Sequence, residues 1–156
     1  DELYAYYRER ALRHYATASR GLADVVFVNA YAKANEAVSG LSLAEQLVKE
    51  EGGSIVVLCN IPGGQVVHYL LGRFGKETWG RLAFGPRENA KRVKRIFLYS
   101  GWRDRANEWW FGGSDAVVCS GDLKAIVGAI DAEYGAAPVR AFVIPDGTVQ
   151  MLSRPQ

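Results

Sequence analysis

Two polar segments of this sequence carry side chains that could bind a ligand or transfer protons. The first, Asn29–Glu36, reads NAYAKANE and directly follows the apolar run VVFV. Lys33 or Tyr31 could serve as an acid or base, and Asn35 and Glu36 could orient hydroxyl groups. We therefore predict Lys33 and Glu36 as catalytic candidates, and Asn29, Tyr31 and Asn35 as binding candidates. The alternative is a polar loop in which Asn35 caps the next helix.

The second polar segment, Cys59–Gln65, reads CNIPGGQ and follows the apolar run IVVL. Its two glycines would let backbone N–H groups approach an anion at the start of a helix over Gln65–Phe74. The binding candidates here are Asn60, Gly63 and Gly64. The segment is neither GxGxxG nor a Walker loop, and a Pro-Gly-Gly turn can also form without a ligand.

Metal ligands are scarce in this sequence, which has only two histidines and two cysteines. His14 and His68 are far apart, and Cys59 and Cys119 fit neither CxxC nor a zinc-ligand spacing. We expect His68 to be structural and the isolated chain to bind neither zinc nor nickel tightly. Few cysteines, each after a strand-like run, indicate a reducing compartment, and we expect a cytoplasmic location.

Two further groups of residues could form surfaces. The aromatic group could be an interface or ordinary core; it comprises Trp79, Trp102, Trp109, Trp110 and Phe111. The basic group could hold phosphate or form the solvated face of a helix over Glu88–Arg95; it comprises Arg87, Lys91, Arg92, Lys94 and Arg95.

The elements that position these residues alternate between apolar runs and amphipathic segments. This pattern predicts an α/β fold, a three-layer Rossmann-like domain with a mainly parallel sheet of about five strands. The predicted strands lie near 24–28, 54–58, 96–99, 116–119 and 139–144. The other predicted helices are Leu3–Ser19, Leu43–Glu50 after a Ser42-x-x-Glu45 capping box, Arg103–Phe111 and Asp122–Tyr134. Ligands of open α/β sheets bind at the carboxyl ends of the strands, where both polar segments fall.

Composition limits the classes of function. A chain of 156 residues is one domain's worth, and its hydrophobic fraction of 49% can form a core. The net charge of +2 gives no case for a nucleic-acid partner. No run approaches the roughly 20 apolar residues of a membrane span. Because the chain opens with DELYAYY, lacking methionine, we expect either a processed chain or, in preference, one α/β domain of a longer protein.

Most of the chain resembles the C-terminal domain of the nickel-dependent lactate racemase family. The residues that carry the resemblance are ADVVFVNAYAKANEA, then SLAEQLVKEEGGSIVVL, and the closing VIPDGTVQML. The resemblance implies a racemase or epimerase of 2-hydroxy acids. That family uses a nickel-pincer nucleotide, which is tethered to a lysine and accepts hydride from the substrate carbon. By resemblance, most of the cofactor site belongs to an N-terminal domain that this chain lacks.

The sequence departs from the family pattern in the loop after the first strand. Lactate racemases carry Gln-x-x-Lys there, whereas the equal spacing before a glycine gives Glu36-x-x-Ser39-Gly40. Ser39 therefore joins the binding candidates, and either Lys33 supplies the ammonium from another position or the substrate differs. Activity could also have been lost. Two alternatives remain open: a non-catalytic binding or interaction module, and a nucleotide-binding transferase-like domain that uses the glycine-rich loop.

Overall fold

Runs of β-branched and aromatic residues form the strands of the fold. The computed structural model describes residues 2–19, 21–60, 62, 88–103, 111–113 and 115–153. The strands are β1 (Ala16–Thr17), β2 (Val25–Asn29), β3 (Gly53–Leu58), β4 (Val93–Tyr99), β5 (Val117–Ser120), β6 (Ala141–Ile144) and β7 (Met151–Leu152). The helices are α1 (Glu2–Tyr15), a 3-10 helix (Tyr31–Glu36), α2 (Val38–Glu45) and α3 (Leu123–Tyr134).

Five of the strands form one parallel sheet in the order β5-β4-β3-β2-β6. The predicted α/β fold with a parallel sheet of about five strands is therefore confirmed. The short strands β1 and β7 form a separate parallel pair that the sequence analysis did not predict.

Helices cover both faces of the sheet, which makes three layers. On one face, Val57 of β3 and Leu41 of α2 belong to the same buried cluster. On the other, Phe97 of β4 packs in a cluster with Ile126 and Ile130 of α3. The chain runs from β2 through β5 in one direction and then returns to β6. Right-handed crossovers place the returning helix on the opposite face.

The predicted start of the second helix is wrong. Helix α2 begins at Val38, and Ser42 lies inside it, where its hydroxyl donates to the Val38 carbonyl at 3.3 Å. Glu45 is buried and accepts from the Ala90 backbone N–H at 3.0 Å. A Ser–Glu pair three residues apart can equally lie within a helix, and here the serine bonds back to the preceding turn.

The predicted basic helix over Glu88–Arg95 is also wrong. The chain turns at Lys91 and Arg92, and β4 begins at Val93, which pairs with Gly53. Arg92 forms an ion pair with Glu50. The dense charge suggested a solvated helix, but it sits on a turn and on the exposed start of a strand.

The predictions for the last helix, α3, and for the first helix, α1, differ in outcome. Helix α3 begins after Asp122, whose carboxylate accepts from the Lys124 N–H at 2.8 Å, and ends at Gly135, where φ is +61°. Helix α1 ends at Tyr15, short of the predicted Ser19, and buries none of its residues.

Several predictions fall outside the described residues. They are the helix over Gln65–Phe74, most of the helix over Arg103–Phe111, and the residues Gly63, Gly64, His68, Trp79, Arg87, Trp109 and Trp110. Of the aromatic group, Phe111 is fully buried in the core and Trp102 is exposed.

Candidate functional site at the carboxyl edge of the sheet

Backbone hydrogen bonds hold the carboxyl ends of neighbouring strands side by side. After β2, the Ala30 N–H donates to the Leu58 carbonyl of β3 at 3.0 Å. After β3, the Cys59 N–H donates to the Tyr99 carbonyl of β4 at 3.2 Å. The two polar segments therefore start next to each other, at the edge where parallel α/β sheets bind ligands.

The strand order places the topological switch point between β2 and β6. The loop after β6 thereby joins the candidate site, because the Gly147 N–H donates to the Asn29 carbonyl at 2.8 Å. In the sequence, Pro145-Asp146-Gly147 shows only the residue types of a turn. The strand order that brings this turn to Asn29 has no local sequence signal.

The turn after β6 uses its own polar groups. The Asp146 carboxylate accepts from the Thr148 N–H at 3.0 Å and from the Thr148 hydroxyl at 2.6 Å. The side-chain carbonyl of Gln150 accepts from the Asp146 N–H at 2.9 Å. Asp146 thus shapes the turn that closes over the switch point.

The segment after β2 opens with an Asx turn formed by Asn29. The Asn29 side-chain oxygen accepts from the Tyr31 N–H at 3.0 Å, and the 3-10 helix begins at Tyr31. Lys33 interrupts the helical geometry, with φ −139° and ψ 59°. Ala34 is buried and anchors the segment, while the Tyr31 and Lys33 side chains lie exposed.

Lys33 and Glu36, the two catalytic candidates, form an ion pair. The Lys33 ammonium lies 3.4 Å from the Glu36 carboxylate, and their side chains are 56% and 35% exposed. Exposed pairs of this kind stabilise a fold by about 0–1 kcal/mol, so a ligand can separate them at small cost. The ammonium can then bind a carboxylate, and the Glu36 carboxylate can accept a proton or a hydroxyl hydrogen bond.

The remaining candidates take different places. Asn35 is half-buried and does not cap α2, whose N-cap residue is Ala37 without a side-chain cap. Ser39 lies exposed in the first turn of α2. The Asn60 side-chain oxygen accepts from the Gly101 N–H at 2.9 Å, which ties the segment after β3 to the loop after β4. That contact points Asn60 away from Lys33 and toward β4.

Cys59 is buried under this edge and is not suited to nucleophilic chemistry. Burial, with a smaller contribution from nearby Cys119, raises the pKa of its thiol to about 12. The thiolate is the reactive form of cysteine, so the Cys59 thiol is inert near neutral pH.

Within the residues that the structure describes, no group of three histidine, cysteine, aspartate or glutamate side chains could hold a metal ion. No helix in this same part of the chain is long and apolar enough to cross a membrane.

In comparisons with known proteins, no family model and no curated protein matches this chain.

Proposed function

We propose that this chain is the C-terminal domain of a lactate racemase-like racemase or epimerase that acts on a 2-hydroxy acid. The observation that carries the proposal is the exposed Lys33–Glu36 pair, which stands beyond the carboxyl end of β2. A 2-hydroxy acid presents a carboxylate and a hydroxyl on adjacent carbons. An ammonium and a carboxylate on one short helix match those two groups.

In this proposal Lys33 binds the substrate carboxylate and orients the molecule, while Glu36 accepts the hydroxyl hydrogen bond. Tyr31, Asn35 and Ser39 lie near this pair in the sequence, on the 3-10 helix and the first turn of α2. Asn29 acts indirectly, because its side chain is committed to the Tyr31 N–H and sets where the 3-10 helix begins. Asn60 likewise positions a neighbouring loop through Gly101.

The donor set of the described residues does not fit nickel. Cys59 is held as a thiol, and no cluster of three ligands occurs in this part of the chain. The nickel-pincer nucleotide therefore enters the proposal only through the resemblance, on the N-terminal domain, where it would accept and return the hydride. The contribution assigned to this chain is substrate binding and orientation.

The test is the Lys33→Ala variant of the full-length, cofactor-loaded protein, assayed by racemisation of 2-hydroxy acids. We expect turnover to fall at least about tenfold, the minimum for losing a charged contact to a carboxylate, roughly 1.4 kcal/mol. Stability should change by no more than about 0.5 kcal/mol, because the ion pair is exposed. A loss of activity would therefore not report unfolding.

Lys49→Ala is the matched control. Lys49 also forms a lysine–carboxylate pair, with Asp24 at 2.8 Å, but at the amino end of β2. Its loss should lower stability and leave turnover unchanged at temperatures where the variant is folded. Equal turnover in the Lys33 variant and the unmodified protein would move the catalytic assignment to Glu36 or to the other domain. Mass spectrometry of the intact full-length protein, with no covalent nucleotide adduct found, would count against the racemase class.

One observation favours the second candidate, an interaction module without catalysis. Helix α1 buries none of its residues, and Leu3, Tyr4 and Tyr7 are all more than half exposed, Tyr7 at 61%. Exposed aromatic residues are enriched at protein interfaces. A full-length protein that carries the nucleotide but turns over no 2-hydroxy acid would favour this second candidate.

A further inference from the structure

One face of the five-stranded sheet is only half covered. Helix α3 is the only described helix in the buried cluster on this face, and it packs against β4 and β5. Parallel sheets are normally covered by helices on both faces. On the carboxyl halves of β2, β3 and β6, however, side chains of this face stay partly open to solvent, and Val143 of β6 is 71% exposed.

These partly open side chains form a continuous apolar floor across four neighbouring strands. Val143 is in register with Phe27 of β2, and Leu58 of β3 is in register with Tyr99 of β4. Phe27, Leu58 and Tyr99 pack against the cluster on this face, and all three are half-buried. Because side chains in register point to the same face, Val143 extends the floor to the edge of the sheet.

One side of α3 forms a wall beside this floor. Leu123 and Val127 are four residues apart, so they lie on one side of the helix, and both are partly exposed. Tyr134, seven residues after Val127, lies on that side too, and its hydroxyl donates to the Asp24 carbonyl of β2 at 3.0 Å. That side of α3 therefore faces β2 and the floor, with Asp131 at its rim. Floor and wall together form an open groove.

Helix α1 carries an apolar stripe that no described residue covers. The stripe lies on one side of the helix and comprises Leu3, Tyr4, Tyr7, Ala11 and Tyr15. The helix has 14 residues and buries none of them. A helix of this length is marginal in water without a packed face, so α1 needs a partner surface.

We propose that two copies of this chain form a dimer in which α1 of each copy lies in the open groove of the other. Amphipathic helices bind apolar grooves in this way. At 1.5 Å per residue α1 is about 21 Å long. The four strands of the floor, at a spacing of about 4.8 Å, span roughly 19 Å, so the helix and the groove match in length.

The exposed area is sufficient for a stable dimer. The leucine and tyrosines of the stripe are roughly half to three-quarters exposed. An aromatic side chain offers roughly 150–250 Å², so each stripe exposes about 400 Å². The groove would lose a similar area, and a symmetric dimer contains the contact twice. The total of about 1,600 Å² is the standard size of a specific interface.

Charge favours the groove over a pairing of two α1 helices. Arg8 and Arg10 flank the stripe on opposite sides, so two paired α1 helices would bring arginines together. In the groove, one of the two arginines faces Asp131 whichever way α1 runs. No described residue forms an ion pair with Asp131. The opposite charges therefore favour α1 in the groove.

The groove of its own chain is out of reach of α1. Helix α1 ends at Tyr15 and β1 begins at Ala16, with no residue between them. Strand β1 pairs with β7, and Thr17 lines a cavity with Leu43 and Leu47, which belong to the cluster on the opposite face of the sheet. Helix α1 cannot turn back over β6 while β1 stays paired, whereas a second copy is free to bring its helix there.

Sedimentation equilibrium of the 156-residue chain tests the dimer. We expect the mass to rise to that of two chains, with a Kd in the micromolar range or tighter. Tyr7→Ser on the stripe and Val143→Asp on the floor should each weaken association at least about tenfold. Both side chains are more than half exposed, so the variants should fold. Tyr6→Ser, on the other side of α1, and Val118→Asp, on the same face at β5, are the matched controls and should associate like the unmodified chain.

A mixture of the Tyr7→Ser and Val143→Asp chains identifies the contact. In the mixed dimer an intact α1 meets an intact groove once, so the mixture should associate more tightly than either variant alone. A pairing of two α1 helices predicts no such gain, because Val143→Asp alone would then dimerise normally. Asp131→Arg should weaken association at least about threefold, and Arg8→Glu or Arg10→Glu in the same chain should restore it.

Hydrogen exchange of the α1 amides supplies a measurement that needs no variant. Their protection should rise with protein concentration as the dimer forms. Protection of α1 that is the same at all concentrations would show that the chain covers its own helix, and would overturn the proposal. A monomer at all concentrations, equal association of all the variants, no gain in the mixture, or no restoration by either arginine variant would also overturn it.

Discussion

Burial separates the two reactive groups that follow β2 and β3. Lys33 is more than half exposed at the carboxyl edge, whereas Cys59 is only 3% exposed beneath it. The first can exchange its carboxylate partner for a ligand at small cost. The second is held protonated by desolvation. Of these two groups, only Lys33 is therefore exposed and charged at this edge.

The burial of Cys59 gives a prediction about thiol reactivity. In a Cys119→Ser variant, Cys59 is the only thiol of the chain. We expect iodoacetamide to alkylate it far more slowly in the native protein than in concentrated urea, where the pKa returns to about 8.5. Mass spectrometry of aliquots taken over time at about pH 8.5 measures both rates of alkylation. Equal rates in the two conditions would show that Cys59 is accessible and ionisable in the fold.

At the scale of elements, two glycines let the turn after β6 pack against α2. A Cβ on Gly147 would overlap with Cγ2 of Val28 and lie 3.0 Å from Cα of Gly40. This close approach allows the Gly147 N–H to reach the carbonyl of Asn29. The geometry of the switch point thus depends on the absence of side chains at both positions.

Gly147→Ala should therefore destabilise the protein by about 1–3 kcal/mol, the usual cost of overpacking. Gly128→Ala is the matched control, because a Cβ there meets nothing within 4 Å. Gly128 lies in the middle of α3, where alanine is favoured over glycine. The free energy of unfolding of this variant should therefore rise by up to about 1 kcal/mol. Urea unfolding of the two variants measures the difference. An unchanged free energy of unfolding in Gly147→Ala would show that the turn can move away from Val28.

The sequence predicted the strands well because central parallel strands are buried on both faces and read as continuous apolar runs. The start of α2 was predicted wrongly because a serine and a glutamate three residues apart, like Ser42 and Glu45, occur inside helices as well as at their starts. The candidate segment after β2 was recognisable from its residue types. The turn that contains Asp146 was not recognisable as part of the candidate site. It reaches Asn29 only because β6 lies next to β2, and that strand order depends on how the whole chain crosses the sheet.

Across the whole molecule, the carboxyl and amino ends of the strands differ in the contacts that hold them. The exposed ion pair Lys33–Glu36 lies at the carboxyl edge and contributes little to stability. At the amino edge, Asp24 joins several elements: its carbonyl accepts from Ser54 at 2.9 Å and from the Tyr134 hydroxyl at 3.0 Å, and its carboxylate accepts from the Arg140 N–H at 2.8 Å. Changes at Asp24 should therefore affect folding, whereas changes at Lys33 should affect ligand binding if the proposed function holds.

Asp24 makes the stability of the fold depend on pH. Its hydrogen bond with Lys49 is the main cause that lowers the pKa of the carboxyl below its usual value of 3.8, against the opposing effect of burial. A lowered folded-state pKa adds stability above the unfolded-state pKa, which is lost as the pH falls through the folded-state pKa. Asp24→Asn should therefore cost about 1–3 kcal/mol at neutral pH, and progressively less as the pH falls below about 3.9.

Urea unfolding measures this difference when Asp24→Asn and the unmodified chain are compared at neutral pH and at about pH 3. Glu9→Gln is the control, because it removes an ion pair with Arg13 whose side chains are 62% and 75% exposed. That variant should stay within about 0.5 kcal/mol of the unmodified chain at both pH values. A deficit of Asp24→Asn that is the same at both pH values would mean that the charge of Asp24 does not stabilise the amino edge. Its loss would then act only through the geometry of the Arg140 contact.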